Sequence, residues 1–126
     1  MTTEEIDISP LIRARDTFER FRKDLSTDKD KAATVQAFEF TYELAWTSMK
    51  RALESQAIEA NFPKDVFRKA ALWELIYDPE IWFEFSKIRN KTVHTYNPIT
   101  LEEVVSVFEL FSSELDKLIE GLKNLK

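Results

Sequence analysis

The amino-acid sequence predicts an all-α protein, folded as an up-and-down bundle of four principal helices with one extra short helix. Three observations predict this fold class. The 126 residues include one glycine and four prolines, so the residue that tight β-hairpins use most is almost absent. Apolar side chains recur at alternating steps of three and four residues, which is typical of amphipathic helices. No segment shows the sustained two-residue alternation of a half-buried strand.

The first helix is predicted to begin with Ser9 as its N-cap and Pro10 at its first helical position. We expect it to end near residues 24–26. Beyond a polar connector, a second helix runs from about residue 30 to residue 55. Its apolar stripe is wide enough to pack on more than one neighbour, so this helix is predicted to be the central element.

The third and fourth helices each have a proline at their start. Pro63 opens the third helix after Phe62, and Asp78 is expected to cap the fourth helix ahead of Pro79. The chain has three tryptophans, all of which are expected to lie in the core: Trp46, Trp73 and Trp82.

The last helix has the most regular pattern in the chain. Asn97 and Pro98 are expected to end the preceding segment, and Thr100 to open the helix in a capping box with Glu103. Its apolar side chains keep the three-four spacing to the end: Leu101, Val104, Phe108, Phe111, Leu115, Leu118 and Leu122. Residues 1–126 are predicted to form a single domain, with residues 1–8 as a polar tail.

The composition excludes several classes of functional site. There is no cysteine, which excludes disulfides, thiol catalysis and Cys-ligated metals. The single histidine, His94, argues against a His-based zinc site, and the single glycine, Gly121, excludes glycine-rich phosphate loops. No metal or cofactor is therefore expected. A net charge of −5 argues against non-specific nucleic-acid binding over the whole surface, but leaves a local basic site open.

The sequence also predicts a cytoplasmic protein without a membrane partner. No run approaches 18 consecutive apolar residues. The N-terminal segment carries acidic residues where a signal peptide carries basic ones.

The segment from Ser86 to Thr100 has the chemically distinctive composition. It contains no acidic residue, although 23 of the 126 residues are Asp or Glu. It holds two asparagines and a set of basic and aromatic side chains: Lys87, Arg89, Lys91, His94 and Tyr96. An anion such as a phosphate would be favoured here. Each residue also has a simpler interpretation: a histidine at a helix C-terminus, a half-buried tyrosine, or an arginine that pairs with one of the many glutamates.

A straight helix would not gather these side chains into one site. Asn90 and His94 share a helical face, but Arg89 and His94 diverge by about 140°. A single site therefore requires that the helix unwinds before His94, as Pro98 favours, or that two copies of the segment meet across a dimer.

Residues 89–96, Arg-Asn-Lys-Thr-Val-His-Thr-Tyr, fit the pattern R-x4-H-x-Y. In this motif the chain resembles the HEPN-type nucleotidyltransferase substrate-binding proteins, the partners of minimal nucleotidyltransferases in prokaryotic two-gene modules. Residues 38–46 resemble the central-helix signature of that family, and residues 65–70 resemble its approach to the motif. The resemblance covers about residues 10 to 123.

The resemblance implies a HEPN-like four-helix-bundle homodimer, with the motif at the cleft between subunits and a separate minimal nucleotidyltransferase bound to it. In toxin–antitoxin members, the HEPN subunit is a metal-independent RNase that the transferase silences by adenylylating the motif tyrosine. By this resemblance Arg89 holds the scissile phosphate, Asn90 orients the general acid/base His94, and Tyr96 binds RNA or is modified. The alternatives are a non-catalytic subunit that binds a nucleotide or another substrate for the transferase, and a helical dimer without chemistry of its own.

Overall fold

The computed structural model describes residues 6–125, and the regular structure within them is helical, without a strand. A 3-10 turn, Thr92–His94, follows the fourth of the α-helices. The α-helices are α1 (Ser9–Arg22), α2 (Asp28–Ser55), α3 (Pro63–Leu72), α4 (Pro79–Lys91), α5 (Pro98–Val105) and α6 (Phe108–Lys123). The predicted all-α bundle is confirmed. None of the helices described is long and apolar enough to cross a membrane.

Helix α2 is the central element, as its wide apolar stripe predicts, because it packs against α1, α3, α4, α5 and α6. The core beside it is aromatic. The ring of Phe111 meets four others edge-on or tilted, with centroids 4.8 Å from Phe38, 5.1 Å from Phe85, 5.4 Å from Phe18 and 6.0 Å from Trp82. Such edge-to-face contacts stabilise a core beyond the burial of their area. They hold α2, α4 and α6 in a fixed relation.

The limits of α1 differ slightly from the prediction. Ser9 lies inside the helix, and Ile8 is the N-cap, without a side-chain capping bond. The carboxylate of Asp7 accepts the backbone N–H of Ser9 at 2.9 Å, so one of the free N–H groups at this helix end has a partner. The helix ends at Arg22 and not at residues 24–26, since Asp24 accepts from the backbone N–H of Ser26 and forms a separate turn.

The predicted last helix is two helices, and its start was placed wrongly. Asn97 is the cap, because its side chain accepts the N–H of Ile99 at 2.9 Å, so α5 begins at Pro98 and Thr100 lies inside it. Ser106 separates α5 from α6. Its hydroxyl donates to the carbonyl of Glu103 at 2.6 Å, and this local hydrogen bond competes with the regular helical pattern. The apolar residues predicted for this segment are all buried.

The three tryptophans lie in different environments, so the prediction for them is wrong in one case. Trp82 is fully buried, Trp46 is half-buried against the core, and Trp73 is 45% exposed. Trp73 is the C-cap of α3. The next residue, Glu74, has φ 62°, a left-handed conformation that reverses the chain. The reversal directs Trp73 away from the core.

Gly121 is required by a close approach between α6 and the segment after α3. A Cβ atom at this position would lie 2.7 Å from the carbonyl oxygen of Leu75, which is closer than van der Waals contact. The single glycine of the chain therefore has a packing role.

Candidate functional site

The motif lies where α4 ends and the chain tightens into the 3-10 turn. Helix α4 is regular to Lys91. The hydroxyl of Thr92, a buried side chain, donates to the carbonyl of Arg89 at 2.7 Å. The hydroxyl of Thr95 donates to the carbonyl of Thr92 at 3.1 Å. These side-chain bonds favour the tighter turn. The α-helix thus ends before His94, as one of the two geometric alternatives requires, but this change does not bring His94 into contact with Arg89.

Arg89 points toward α2 and is held there by acidic side chains. Its Nη1 lies 3.1 Å from a carboxylate oxygen of Glu39, and its Nε lies 3.4 Å from one of Glu43. Nη1 also donates to the hydroxyl of Thr92 at 2.9 Å. The side chain of Arg89 is 28% exposed. The simpler interpretation of Arg89, a partner for a glutamate, therefore describes its environment within this chain.

Glu39 and Glu43 were not singled out from the sequence. They occur in the stretch Phe-Glu-Phe-Thr-Tyr-Glu, which carries the family resemblance. The sequence feature that could have identified them is their four-residue spacing within an otherwise apolar stretch. This spacing places both carboxylates on one side of α2. Glu43 also accepts the indole N–H of Trp46 at 2.9 Å.

The phenol of Tyr42 lies buried beside this cluster. Burial raises the pKa of Tyr42 above its ordinary value, while its proximity to Ser86 and the charge of Arg89 act in the opposite direction. Because the net direction is upward, the phenol remains neutral through the physiological range. The hydroxyl that Tyr42 places beside Arg89 and its two glutamates is therefore uncharged.

His94 and Tyr96 form a second, separate group on the surface. Their rings meet edge to face, with centroids 6.0 Å apart. Tyr96 is 83% exposed, and His94 is exposed as well. Asn90 is exposed, and among residues 6–125 its side chain has no hydrogen bond to His94. The structure therefore brings His94 to Tyr96 and Arg89 to α2, without a contact that joins these two groups.

The basic side chains of the motif segment are all paired with carboxylates from outside it. This neutralisation was not visible in the local sequence, and it offsets the attraction for anions that the segment alone would have. The ion pairs are Lys87–Glu84 at 3.1 Å, Lys91–Glu103 at 3.0 Å, and those of Arg89 with Glu39 and Glu43. Glu103, predicted as part of a capping box, is thus an ion-pair partner of Lys91, and the neighbouring Glu102 accepts from Lys31 at 2.6 Å.

A shallow cavity of 470 Å³ opens beside Arg89, between α2 and α4. Its lining combines charged and apolar groups: Gln36, Glu39, Phe40, Glu43, Leu44 and Arg89. A guanidinium here can bind an oxyanion, and an exposed imidazole such as that of His94 is of the type that serves as a general acid or base. Within residues 6–125, no three His, Asp or Glu side chains converge in a way that could hold a metal ion.

The turn that carries His94 is also rich in exposed apolar side chains. Val93 and Ile99 are largely exposed, as is the ring of Tyr96. Apolar side chains grouped on a surface are typical of a binding interface.

Comparison with known proteins gives consistent matches over most of the chain. The family model described as “Nucleotidyltransferase substrate binding protein like” matches residues 8–124. A Haemophilus influenzae protein named “Probable ribonuclease HepT” is 35% identical over 97 residues, which cover 73% of this chain and 66% of that protein. The chain thus spans slightly less than two thirds of the length of this relative.

Two solved structures share the fold, each with a TM-score of 0.85. One, from Haemophilus influenzae, is described as revealing the fold of a substrate binding domain of a nucleotidyltransferase; it is 30% identical, and the match covers 94% of this chain and all of that chain. The other, a crystal structure from Thermus thermophilus, is 23% identical, with 90% of this chain and 99% of that chain covered. At this identity the second match shows the fold alone.

Proposed function

This chain belongs to the nucleotidyltransferase substrate binding protein like family, and from this premise we propose that it is a HEPN subunit that pairs with a minimal nucleotidyltransferase. We propose further that it is a toxin-type, metal-independent endoribonuclease, and that the transferase neutralises it by adenylylating Tyr96. The name of the ribonuclease relative supports the proposed RNase activity. The exposure of Tyr96 supports its proposed adenylylation.

The observation that carries the proposal is the exposed pair of His94 and Tyr96. In RNA cleavage, the imidazole of His94 would take the proton of a 2′-hydroxyl, or give a proton to the leaving 5′-oxygen. The 2′-oxygen forms a bond to phosphorus as the bond from phosphorus to the 5′-oxygen breaks. Proton transfer by a positioned imidazole contributes about two to four orders of magnitude in rate. Arg89 would bind the scissile phosphate through its guanidinium.

Adenylylation needs an accessible tyrosine oxygen, and Tyr96 provides one. Its Oη would attack the α-phosphorus of ATP, lose its proton and displace pyrophosphate. The partner transferase would supply the carboxylates for this reaction. An 83% exposed side chain at the end of a short turn can enter another protein's active site without unfolding of the bundle.

A homodimer would complete the proposed nuclease site. Within one chain, Arg89 and His94 have different neighbours. A two-fold arrangement of two motif turns could bring His94 of one subunit toward Arg89 of the other. The exposed apolar side chains of Val93 and Ile99 support an interface at this place. Light scattering should give about twice the chain mass of 14.8 kDa, and a monomer at micromolar concentration would contradict the dimer.

The alternative function is a non-catalytic subunit that binds a nucleotide or another phosphate-bearing substrate for the transferase. The cavity beside Arg89 favours this candidate. So does the description of the Haemophilus influenzae structure as a substrate binding domain. In that case the same residues would bind a ligand, and the protein alone would cut no RNA.

One experiment distinguishes the two functions. Purified wild type is incubated with total RNA, alone and after treatment with the cognate transferase, ATP and magnesium, and the protein is examined by mass spectrometry for added AMP. We expect cleavage by the untreated protein, AMP on Tyr96 after treatment, and loss of cleavage with modification. Tyr96→Phe should accept no AMP at this position. Tyr77→Phe, at another exposed tyrosine, is the matched control and should be modified normally. An uncut RNA and an unmodified Tyr96 would support the substrate-binding role.

A further inference from the structure

Two carboxylates of α2 enclose the guanidinium of Arg89. Glu39 and Glu43 are one helical turn apart, so both face α4. The second carboxylate is itself held by the indole N–H of Trp46 at 2.9 Å. Nη1 of Arg89 lies 3.1 Å from a carboxylate oxygen of Glu39 and donates to the hydroxyl of Thr92, whereas Nε lies 3.4 Å from Glu43, is buried and makes no hydrogen bond. The guanidinium is thus held toward α2 by two carboxylates and one hydrogen bond.

The cluster carries a surplus of negative charge. Two carboxylates surround one guanidinium, so their formal sum is −1 when all three are ionised. A phosphate that approaches Arg89 is attracted by one charge and repelled by two. The cluster therefore attracts a phosphate less strongly than a one-to-one ion pair would.

From these contacts we infer that Glu39 and Glu43 are positioning residues for Arg89: they fix the orientation in which its guanidinium meets a phosphate, and they weaken phosphate binding in the ground state. This inference rests on the proposed function of Arg89. A hydrogen-bond donor whose orientation is fixed before the reaction stabilises the reacting phosphate without first having to be ordered. Weak ground-state binding combined with a well-placed donor raises the rate of the chemical step more than the affinity.

The inference predicts opposite effects on binding and on turnover. Glu39→Gln keeps the shape and one acceptor oxygen but removes a negative charge from the cluster. We expect RNA to bind about two- to fivefold more tightly, the range for a partly exposed charge interaction. We expect kcat to fall about tenfold, because the guanidinium is less well fixed. A glutamate with only a structural role would change the melting temperature and would not separate kcat from KM.

Glu54→Gln is a matched control for this experiment. Glu54 also lies on α2 and forms an ion pair with Lys50, but it is neither in the cluster nor in the cavity beside Arg89. The full-length wild type and both variants are compared. Affinity is measured by fluorescence anisotropy with a 2′-O-methyl RNA that cannot be cleaved, and kcat and KM with the corresponding unmodified RNA.

A third measurement does not depend on RNA. The Nε–H signal of Arg89 in a proton–nitrogen NMR spectrum reports how firmly its guanidinium is held. We expect this signal to exchange slowly with water in wild type and in Glu54→Gln, and to broaden in Glu39→Gln. Glu43→Gln is the second variant if Glu39→Gln fails to fold, and it should show the same changes.

The outcomes separate this inference from the proposed nuclease. If wild type does not cut RNA, the nuclease proposal fails, while the NMR signal and the affinity still decide whether the two glutamates position Arg89. Unchanged NMR signals together with affinities within twofold of wild type would overturn the inference, whatever the nuclease activity. A variant that loses both affinity and turnover would also overturn it, because the carboxylate would then assist ground-state binding.

Discussion

Two residues of the motif, Arg89 and His94, lie five residues apart in the sequence and in opposite environments. Arg89 is in a regular helix, mostly buried, and ion-paired to α2. His94 ends a 3-10 turn and is exposed, with the ring of Tyr96 as its neighbour. Contacts within the bundle thus orient the side chain of Arg89. Under the proposed function, the orientation of His94 would depend on what binds the turn: RNA, the transferase or another copy of the chain.

This difference has a physical origin in the aromatic core. The ring of Phe111 on α6 contacts both Phe38 on α2 and Phe85 on α4. The packed interior thus fixes α2 relative to α4, the helix that carries Arg89. The turn is joined to that interior mainly through the buried side chain of Thr92. Substitutions of buried residues in α2 should therefore change the free energy of unfolding, whereas those of exposed residues in the turn should change activity alone.

The largest change in stability is expected for Phe38→Ala. This ring is fully buried and meets Phe111 at 4.8 Å. Its loss should lower the free energy of unfolding by about 3–5 kcal/mol and the melting temperature by roughly 10–20 °C. Differential scanning calorimetry measures both. Phe40→Ala, at a partly exposed phenylalanine on the same helix, is the control with little expected loss. Similar melting temperatures for the two variants would show that α2 does not hold the core.

A smaller change is expected for Trp46→Ala. The wide apolar stripe of α2 predicts a full core role for this residue, but it is half-buried and its N–H is used by Glu43. We expect a loss of about 1–2 kcal/mol in denaturant unfolding. Trp46→Phe should recover most of that stability without restoring the hydrogen bond to Glu43. If Trp46→Ala costs as much as Phe38→Ala, the indole is more important to the core than its exposure indicates.

The smallest change in stability is expected for His94→Ala, which should also have the largest effect on chemistry. An exposed side chain at a turn contributes less than about 0.5 kcal/mol to folding, whereas loss of a general acid/base should reduce RNA cleavage by about two to four orders of magnitude. Thermal unfolding and an RNA cleavage assay are run on the same preparation. Lys123→Ala, at an exposed residue on α6, should change neither quantity. A strongly destabilised His94→Ala would remove the contrast between Arg89 and His94.

Most of the fold could be predicted because helical periodicity is a local property. The three-four repeat of the last segment identifies a buried face whether the helix is continuous or not, and its seven apolar residues are buried. The same repeat cannot show where the helix is interrupted. That depends on single hydrogen bonds, such as the one from Ser106 to Glu103, which compete with the backbone pattern on nearly equal terms.

The sequence alone was sufficient for the all-α bundle and the central position of α2, and it contains the R-x4-H-x-Y pattern on which the candidate site was proposed, because each rests on spacing or residue type within a short segment. Only the tertiary structure decided the electrostatics of the site. Glu39 and Glu43 reach Arg89 across about fifty residues of chain, and no local pattern reports a contact between side chains that distant. Packing of α2 on α4 brings them together. A segment without an acidic residue thereby acquires two carboxylates at its arginine.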